Sequence, residues 1–240
     1  MYRALTTLTV GIFASFLMWQ PTRAQSSPLS VFFTVDQFVY QPGEPISFTI
    51  RVQNVSSQPV AINFATAQRF DVILQSSAAT VGRWSNGQIF AQATGEQTWR
   101  PGQTIVYEDS WLPTSGLLPG AIGGGAQPLM RGLFELHAEL TGITVQPTSP
   151  PVPIVIGWPI ALDTGCTELD ETLTAEVDAD TLARTVEPRD ALKSLWQEGR
   201  GDGPVDAYSP RYAAASDLQQ LIPREPITVC VDRPSQITLP

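Results

Sequence analysis

The chain has 240 residues, 42% of them hydrophobic and 15% charged, enough for one or two ordinary cores. Its 21 prolines and 18 glycines exclude a helical bundle and suit short strands joined by turns. A formal net charge of −9 sets the chain against nucleic acid and anionic lipid surfaces as partners.

Residues 1–24 read as a signal peptide. Arg3 gives a positive start, Ala4 to Trp19 an apolar run, and Pro21 a break. Thr22-Arg23-Ala24 then places small residues at the two positions a signal peptidase requires. The run is short for a membrane span, so cleavage after Ala24 is favoured over an uncleaved anchor. No later run is long enough to cross a bilayer. The expectation is a secreted, extracytoplasmic protein with no membrane span in its mature chain.

Next, Val31, Phe33 and Val35 alternate with Phe32, Thr34 and Asp36, which reads as a first strand. A Pro42-Gly43 turn leads to a second alternation at Ile46, Phe48, Ile50 and Val52. Val60, Ile62 and Phe64 return the chain, and Phe70, Val72 and Leu74 again bury one face. Asn86-Gly87 reads as a tight hairpin turn that would pair Trp84 with residues beyond Gln88. Trp99 to Tyr107, with Pro101-Gly102, echoes Tyr40 to Phe48 at equal spacing, which is recurrent turn chemistry rather than a duplicated domain. With Leu133 to Leu140 the count reaches seven or eight strands without a helical period. That density predicts an immunoglobulin-like β-sandwich over residues 29–142, with Trp84 and Trp111 in its core.

Between Trp111 and Leu133 lies a long loop containing Gly123-Gly124-Gly125. A proline-rich linker follows at 143–158, and residues 159–240 read as a small α+β module. There Pro188 to Trp196 carries Ala191, Leu192, Leu195 and Trp196 at helical spacing, Ser216 to Leu221 suits a second short helix, capped by Ser216 or starting a turn earlier, and Ile227 to Val231 a strand. Cys166 and Cys230, near the ends of this module, are expected to form a disulfide in an exported protein, with free thiols as the lesser reading.

Chemistry is sparse. His137 is the one histidine. It shares a strand face with Glu135 and Glu139, but same-face neighbours stand ~7 Å apart, too far to close easily on one ion, so a solvated face is the expectation. No Gly-x-Ser-x-Gly elbow exists for a nucleophile. The carboxylates between Glu168 and Asp180 form an acidic surface run, and Arg200-Gly201-Asp202 reads as a flexible turn. The chain is therefore expected to be no enzyme, with no catalytic residue, metal or cofactor.

Gln68, Phe70-Asp71, Arg83-Trp84-Ser85, Gly87, Phe90, Gln92, Pro101-Gly102 and Trp111 together resemble the core of the BsuPI family, named for a bacterial intracellular proteinase inhibitor. The resemblance implies the same sandwich fold and a protein partner, a subtilisin-like extracytoplasmic serine protease. It also makes Leu117 and Leu118 a candidate protease-contact or cleavage loop. Export departs from the family's intracellular name. The alternative is an envelope display or adhesive protein whose partner is another envelope protein. Residues 159–240 loosely resemble an uncharacterised module of secreted bacterial proteins, which implies a context and no activity.

Overall fold

Alternating burial builds the first strands where the sequence places them. The computed structural model describes residues 27–77, 79–115, 127–129, 131–142, 146–169, 173, 175–197 and 206–240. The leader, Leu117, Leu118 and Arg200-Gly201-Asp202 lie outside the described residues. The N-terminal strands are β1 (Leu29–Val35), β2 (Val39–Tyr40), β3 (Ile46–Asn54), β4 (Val60–Phe64), β5 (Phe70–Ser76), β6 (Ala79–Arg83), β7 (Gly95–Trp99), β8 (Thr104–Trp111), β9 (Thr114–Ser115), β10 (Gln127–Pro128), β11 (Gly132–Leu140) and β12 (Val152–Ile156).

One sheet has the order β1-β3-β8 and a second the order β2-β12-β11-β5-β6, with β4-β7 and β9-β10 as two-stranded pairs. Apolar residues from both larger sheets, among them Val31, Phe48, Ile50, Val72, Leu136 and Ile154, form one buried cluster between them. Both Pro-Gly turns form as read. The Glu44 N–H donates to the Gln41 carbonyl and the Gln103 N–H to the Arg100 carbonyl, each at 3.0 Å, around glycines with positive φ.

Part of the segment read as a linker is a strand. Val152–Ile156 lies between β11 and β2, with Ile154, Val155 and Ile156 buried. Its prolines are tolerated for a definite reason. Val155 and Gly157 donate their N–H groups to the carbonyls of Phe38 and Tyr40. Pro153 faces the same edge, two residues before the pairing with β2 begins, where a missing N–H costs no ladder bond.

Residues beyond this strand form β13 (Pro159–Leu162), β14 (Gly165–Leu169), β15 (Val177–Asp178), α1 (Ala179–Ala183), β16 (Val186–Glu187), β17 (Leu192–Gln197), β18 (Asp206–Tyr208), β19 (Gln220–Leu221), β20 (Ile227–Val231) and β21 (Ser235–Thr238). They pair as β13-β21-β16, β14-β20-β17-β18 and β15-β19 around a second apolar cluster. The α-helix among the described residues has five residues, capped by the Asp178 carboxylate accepting from the Thr181 N–H at 3.0 Å.

Neither expected helix forms. Leu192–Gln197 is a strand, with an irregularity in the ladder between Leu192 and Ser194. That shift lets Leu192 and Leu195, three apart, both enter the core, an interval that otherwise signals a helix. Ser216 closes a 3₁₀ segment, Pro210–Ala215, instead of opening a helix. Its hydroxyl accepts from the Ser209 N–H and donates to the Tyr212 carbonyl. Leu221 then pairs with Val177 as strand.

The two clusters meet where β12 ends. A Cβ on Gly157 would stand 2.4 Å from the Leu239 carbonyl oxygen, so only glycine permits this approach. Nearby the Arg184 guanidinium lies 4.1 Å above the Phe38 ring.

One buried tyrosine in each cluster is tied to a carboxylate. Tyr40 donates to Asp36 Oδ1 and Tyr208 to Asp180 Oδ1, both at 2.7 Å. Burial first, then the hydrogen-bonded carboxylate, raises both phenols above the ordinary 10.0. A raised folded-state value contributes stability that is fully present below the unfolded value and lost above it. The thermal midpoint is therefore expected to be insensitive to these two groups up to about pH 9 and to fall as pH rises past about 10. A Tyr40→Phe, Tyr208→Phe double variant should show a shallower alkaline fall in a pH-resolved melting series.

Candidate functional site

The residues that carry the family resemblance separate onto two faces of one strand pair. In β5 all of Phe70, Asp71, Val72, Ile73 and Leu74 are buried, where the sequence predicts burial of alternate positions only. On the second face, Ser85 of the turn after β6 bonds to Asp71. The Trp84 N–H donates to the Val72 carbonyl at 2.8 Å and extends the pairing past Arg83.

On the outer face Asp71 is the hub. Its Oδ1 accepts from the N–H of Val72 at 3.0 Å and of Ser85 at 3.1 Å. Its Oδ2 accepts from the Ser85 hydroxyl at 2.8 Å and from Arg83 at 3.2 Å. Arg83 also lies 3.7 Å from Glu139, which stands opposite Asp71 in the ladder. Glu139 in turn is 3.8 Å from His137. A buried carboxylate is costly unless paired and hydrogen-bonded, and here it has four donors. Arg83 is half-exposed, so solvent screens its ion pair, and the amide and hydroxyl of Ser85 hold the carboxylate more firmly.

On the inner face Phe70 and Trp84 stack with centroids 4.4 Å apart. Phe48, Tyr107 and Phe90 extend the cluster around them. Trp84 is 8% exposed, the core residue that the sequence reading expects. Trp111 is half-buried, packed against the same cluster, with its ring 3.3 Å from where a Cβ on Gly82 would sit. The Tyr107 hydroxyl is buried without a hydrogen-bond partner among the described residues, and burial pushes its pKa up.

The Asn86-Gly87 hairpin does not form. Among these residues Gly87 has positive φ and Asn86 does not, and the Gln88 N–H returns to the Ser85 carbonyl at 3.1 Å. Positive φ at the third turn position alone gives the type II pattern, which splays the flanking chain instead of pairing it. The splayed chain leaves a cleft of about 310 Å³ lined by Arg83, Trp84, Gly87, Gln88, Trp111 and Leu112. Ile89 beside it is 99% exposed and Leu112 is 46% exposed.

The remaining motif residues are scattered. Gln68 donates through its side chain to the Phe70 carbonyl at 3.0 Å, Pro101-Gly102 forms its turn, and Gln92 is exposed. Cys166 and Cys230 are bonded to each other as directly opposed residues of β14 and β20. Glu135 is exposed while His137 and Glu139 are half-buried. Among the described residues no group of three His, Cys, Asp or Glu side chains could hold a metal. Sequence reasoning missed Glu139 as a partner of Arg83. The signal was the alternation of Leu133 to Leu140, which puts Glu139 on the outer face but names no opposite residue.

Two substitutions separate the faces. Asp71→Ala leaves the Ser85 amide and hydroxyl without their acceptor and should cost ~1–3 kcal/mol of folding stability. Trp84→Ala empties the inner stack and should cost ~3–5 kcal/mol. Chemical denaturation of each variant gives both values; an unchanged midpoint for Trp84→Ala would mark that ring as a surface residue.

No curated protein matches the chain. Among solved structures, the sporulation control protein Spo0M of Bacillus subtilis is similar at 16% identity and a TM-score of 0.32, covering 54% of this chain. This chain spans about half of Spo0M, 49% of its length. The CARDB domain of a Pyrococcus furiosus protein is similar at 13% identity and a TM-score of 0.30, covering 54% of this chain and 94% of that domain. The β-glucosidase EmGH1 of Erythrobacter marinus is similar at 10% identity and a TM-score of 0.30, covering 53% of this chain and 15% of the enzyme. The family model described as BsuPI, intracellular proteinase inhibitor, matches residues 33–145, the segment that contains Asp71, Trp84 and every other motif residue named above.

Proposed function

We propose that residues 33–145 form an immunoglobulin-like protein-binding domain that inhibits a subtilisin-like serine protease outside the cytoplasm without catalysing a reaction itself. The observation that carries this reading is the family match over residues 33–145. The preformed cleft at Trp84 and Trp111, with Ile89 and Leu112 exposed beside it, is the surface we assign to the contact. Exposed large apolar side chains around a concave patch are what protein partners use as anchors.

Export is part of the same proposal. The Cys166–Cys230 disulfide is the type of bond that persists in oxidising compartments. Among the described residues no helix is long and apolar enough to cross a membrane. Residues 1–24 would then be a cleaved leader, and residues 159–240 a second module carried with the inhibitor.

The stretch that includes Leu117 and Leu118 is a poor inhibitory loop on energetic grounds. Three successive glycines raise the entropy lost on ordering it, and fixing ten residues costs on the order of 10 kcal/mol. Nanomolar affinity amounts to about 12 kcal/mol in total. The loop is better suited to slow cleavage than to tight binding.

A second reading has its own support. Phe70, Asp71 and Trp84 point into the fold or are locked to it, so the motif specifies a scaffold before it specifies a contact. Envelope display without inhibition fits that observation.

Inhibition assays on a panel of extracellular serine proteases decide between the two. A variant lacking Gly116 to Ala126 should inhibit as the full chain does, while Ile89→Asp with Leu112→Asp should weaken inhibition by about tenfold or more. Inhibition lost on deleting the loop from a still-folded protein would move the contact to Leu117 and Leu118. No inhibition by any form would leave display as the function.

A further inference from the structure

The four-stranded sheet β14-β20-β17-β18 covers its core with one face only. Leu169, Ile227, Val229, Val231, Leu192, Leu195 and Tyr208 fill that face. The opposite face carries Cys166 and Glu168 on β14, Thr228 and Cys230 on β20, and Ser194 and Trp196 on β17. All of these but Ser194, with Gln197 and Pro226, line a cleft of about 430 Å³.

The register sets its width. Trp196 stands opposite Thr228, and Thr228 opposite Glu168, so the three occupy one row across three strands. Two strand spacings separate the tryptophan from the glutamate, about 10 Å between their backbones. The indole is held in place, because its N–H donates to the Ser194 hydroxyl at 2.7 Å. It is 38% exposed, which leaves part of the ring available from solvent. Glu168 is exposed and has no ion-pair partner among the described residues. The described lining residues include no lysine or arginine.

An aromatic wall, a hydroxyl floor and a carboxylate wall at this spacing select one chemistry. A cation lies within ~6 Å of an aromatic centroid in a favourable cation–π contact and ~2.8 Å from a carboxylate oxygen in an ion pair. Both reaches fit within the row. The apolar stem of such a side chain would lie on the Cys166–Cys230 sulfurs and Pro226, as the methylenes of lysine and arginine do on apolar surface. The chain's net charge of −9 favours the same sign of partner.

We propose that this face is a binding site for a lysine or arginine side chain of an extended partner polypeptide, clamped between Trp196 and Glu168 above Thr228. The site stands apart from the inhibitory reading of residues 33–145 and does not depend on it.

The test uses the full chain with its disulfide intact and ¹⁵N-labelled tryptophan indoles. The probe is an acetylated, amidated Gly-Lys-Gly peptide, with an arginine version beside it and norleucine and glutamate versions as controls. The Trp196 indole resonance, assigned by its loss in Trp196→Phe, should shift saturably with the two basic peptides and not with the controls. Glu168→Gln should weaken binding by about threefold, the scale of one solvent-screened ion pair, and should remove most of its salt dependence. Trp196→Ala should weaken it by about threefold or more, and Trp196→Phe should retain part of it. Because Glu168 is exposed, its variant keeps the fold and decides the matter even if Trp196→Ala does not. Equal shifts with the norleucine peptide, no saturable shift with either basic peptide, or unchanged affinity in Glu168→Gln would each overturn the proposal.

Discussion

The N-terminal fold depends on the Asp71 carboxylate being buried and fully bonded. It sits in a central strand, on the face away from the core, where a solvated residue would ordinarily stand. Four donors converge on it from Val72, Arg83 and Ser85. By holding the Ser85 amide, it places Trp84, one residue earlier, on the opposite face against Phe70. The polar hub and the aromatic stack are thus two sides of one constraint. The two support each other, since a buried carboxylate is costly without its donors and the Ser85 bonds to Asp71 tie down the turn that carries Trp84. That coupling explains why Asp71, Trp84 and Ser85 stand together in the motif.

Much of this architecture is legible in the sequence, and the places where it fails have a common physical origin. Period-two alternation located β1, β3, β4 and β11 because one face of each is buried and the other wet. It failed in β5 because Asp71 and Ile73 are covered on the second face, and covering is a tertiary fact. The segment at 143–158 reads as linker because proline is normally excluded from sheets. The strand Val152–Ile156 evades the rule by turning Pro153 toward an edge where no bond is required. In β17 a one-residue irregularity converts strand spacing into apparent helical spacing. Each of these depends on which neighbour arrives beside the strand, and a single chain's pattern does not encode the neighbour.

The candidate surfaces show the same division. The disulfide was legible, since an even pair of cysteines in a chain expected to be exported leaves few alternatives, although their direct opposition across β14 and β20 was not. The cleft beside Trp84 was hidden by the expectation of a hairpin at Asn86-Gly87. A type II turn needs only Gly87 to adopt positive φ, and it leaves the chain splayed with Ile89 in solvent. The row Trp196–Thr228–Glu168 was further out of reach. It requires the pairing of three strands separated by up to 60 residues, and it appears only once Trp196 is taken off a helix and placed on a sheet.

These placements bear on how far a family match carries function. The matched residues that can be assigned a role here mostly make the scaffold: Asp71 and Ser85 bond the turn, Phe70 and Trp84 fill the core, and Pro101-Gly102 closes a corner. Residues doing that work would recur in any protein using this scaffold, whatever its partner. Contact specificity has to come from side chains that the fold does not consume. Among the described residues of 33–145 these include Ile89 and Leu112, whose exposure contributes nothing to the core. On the second module they include Glu168 and Trp196, where the indole is fixed by Ser194 yet still meets solvent. An exposed aromatic held in one orientation loses little entropy when a ligand arrives. On the proposed readings, contacts with a partner would fall to the few ordered side chains that the two cores leave outside.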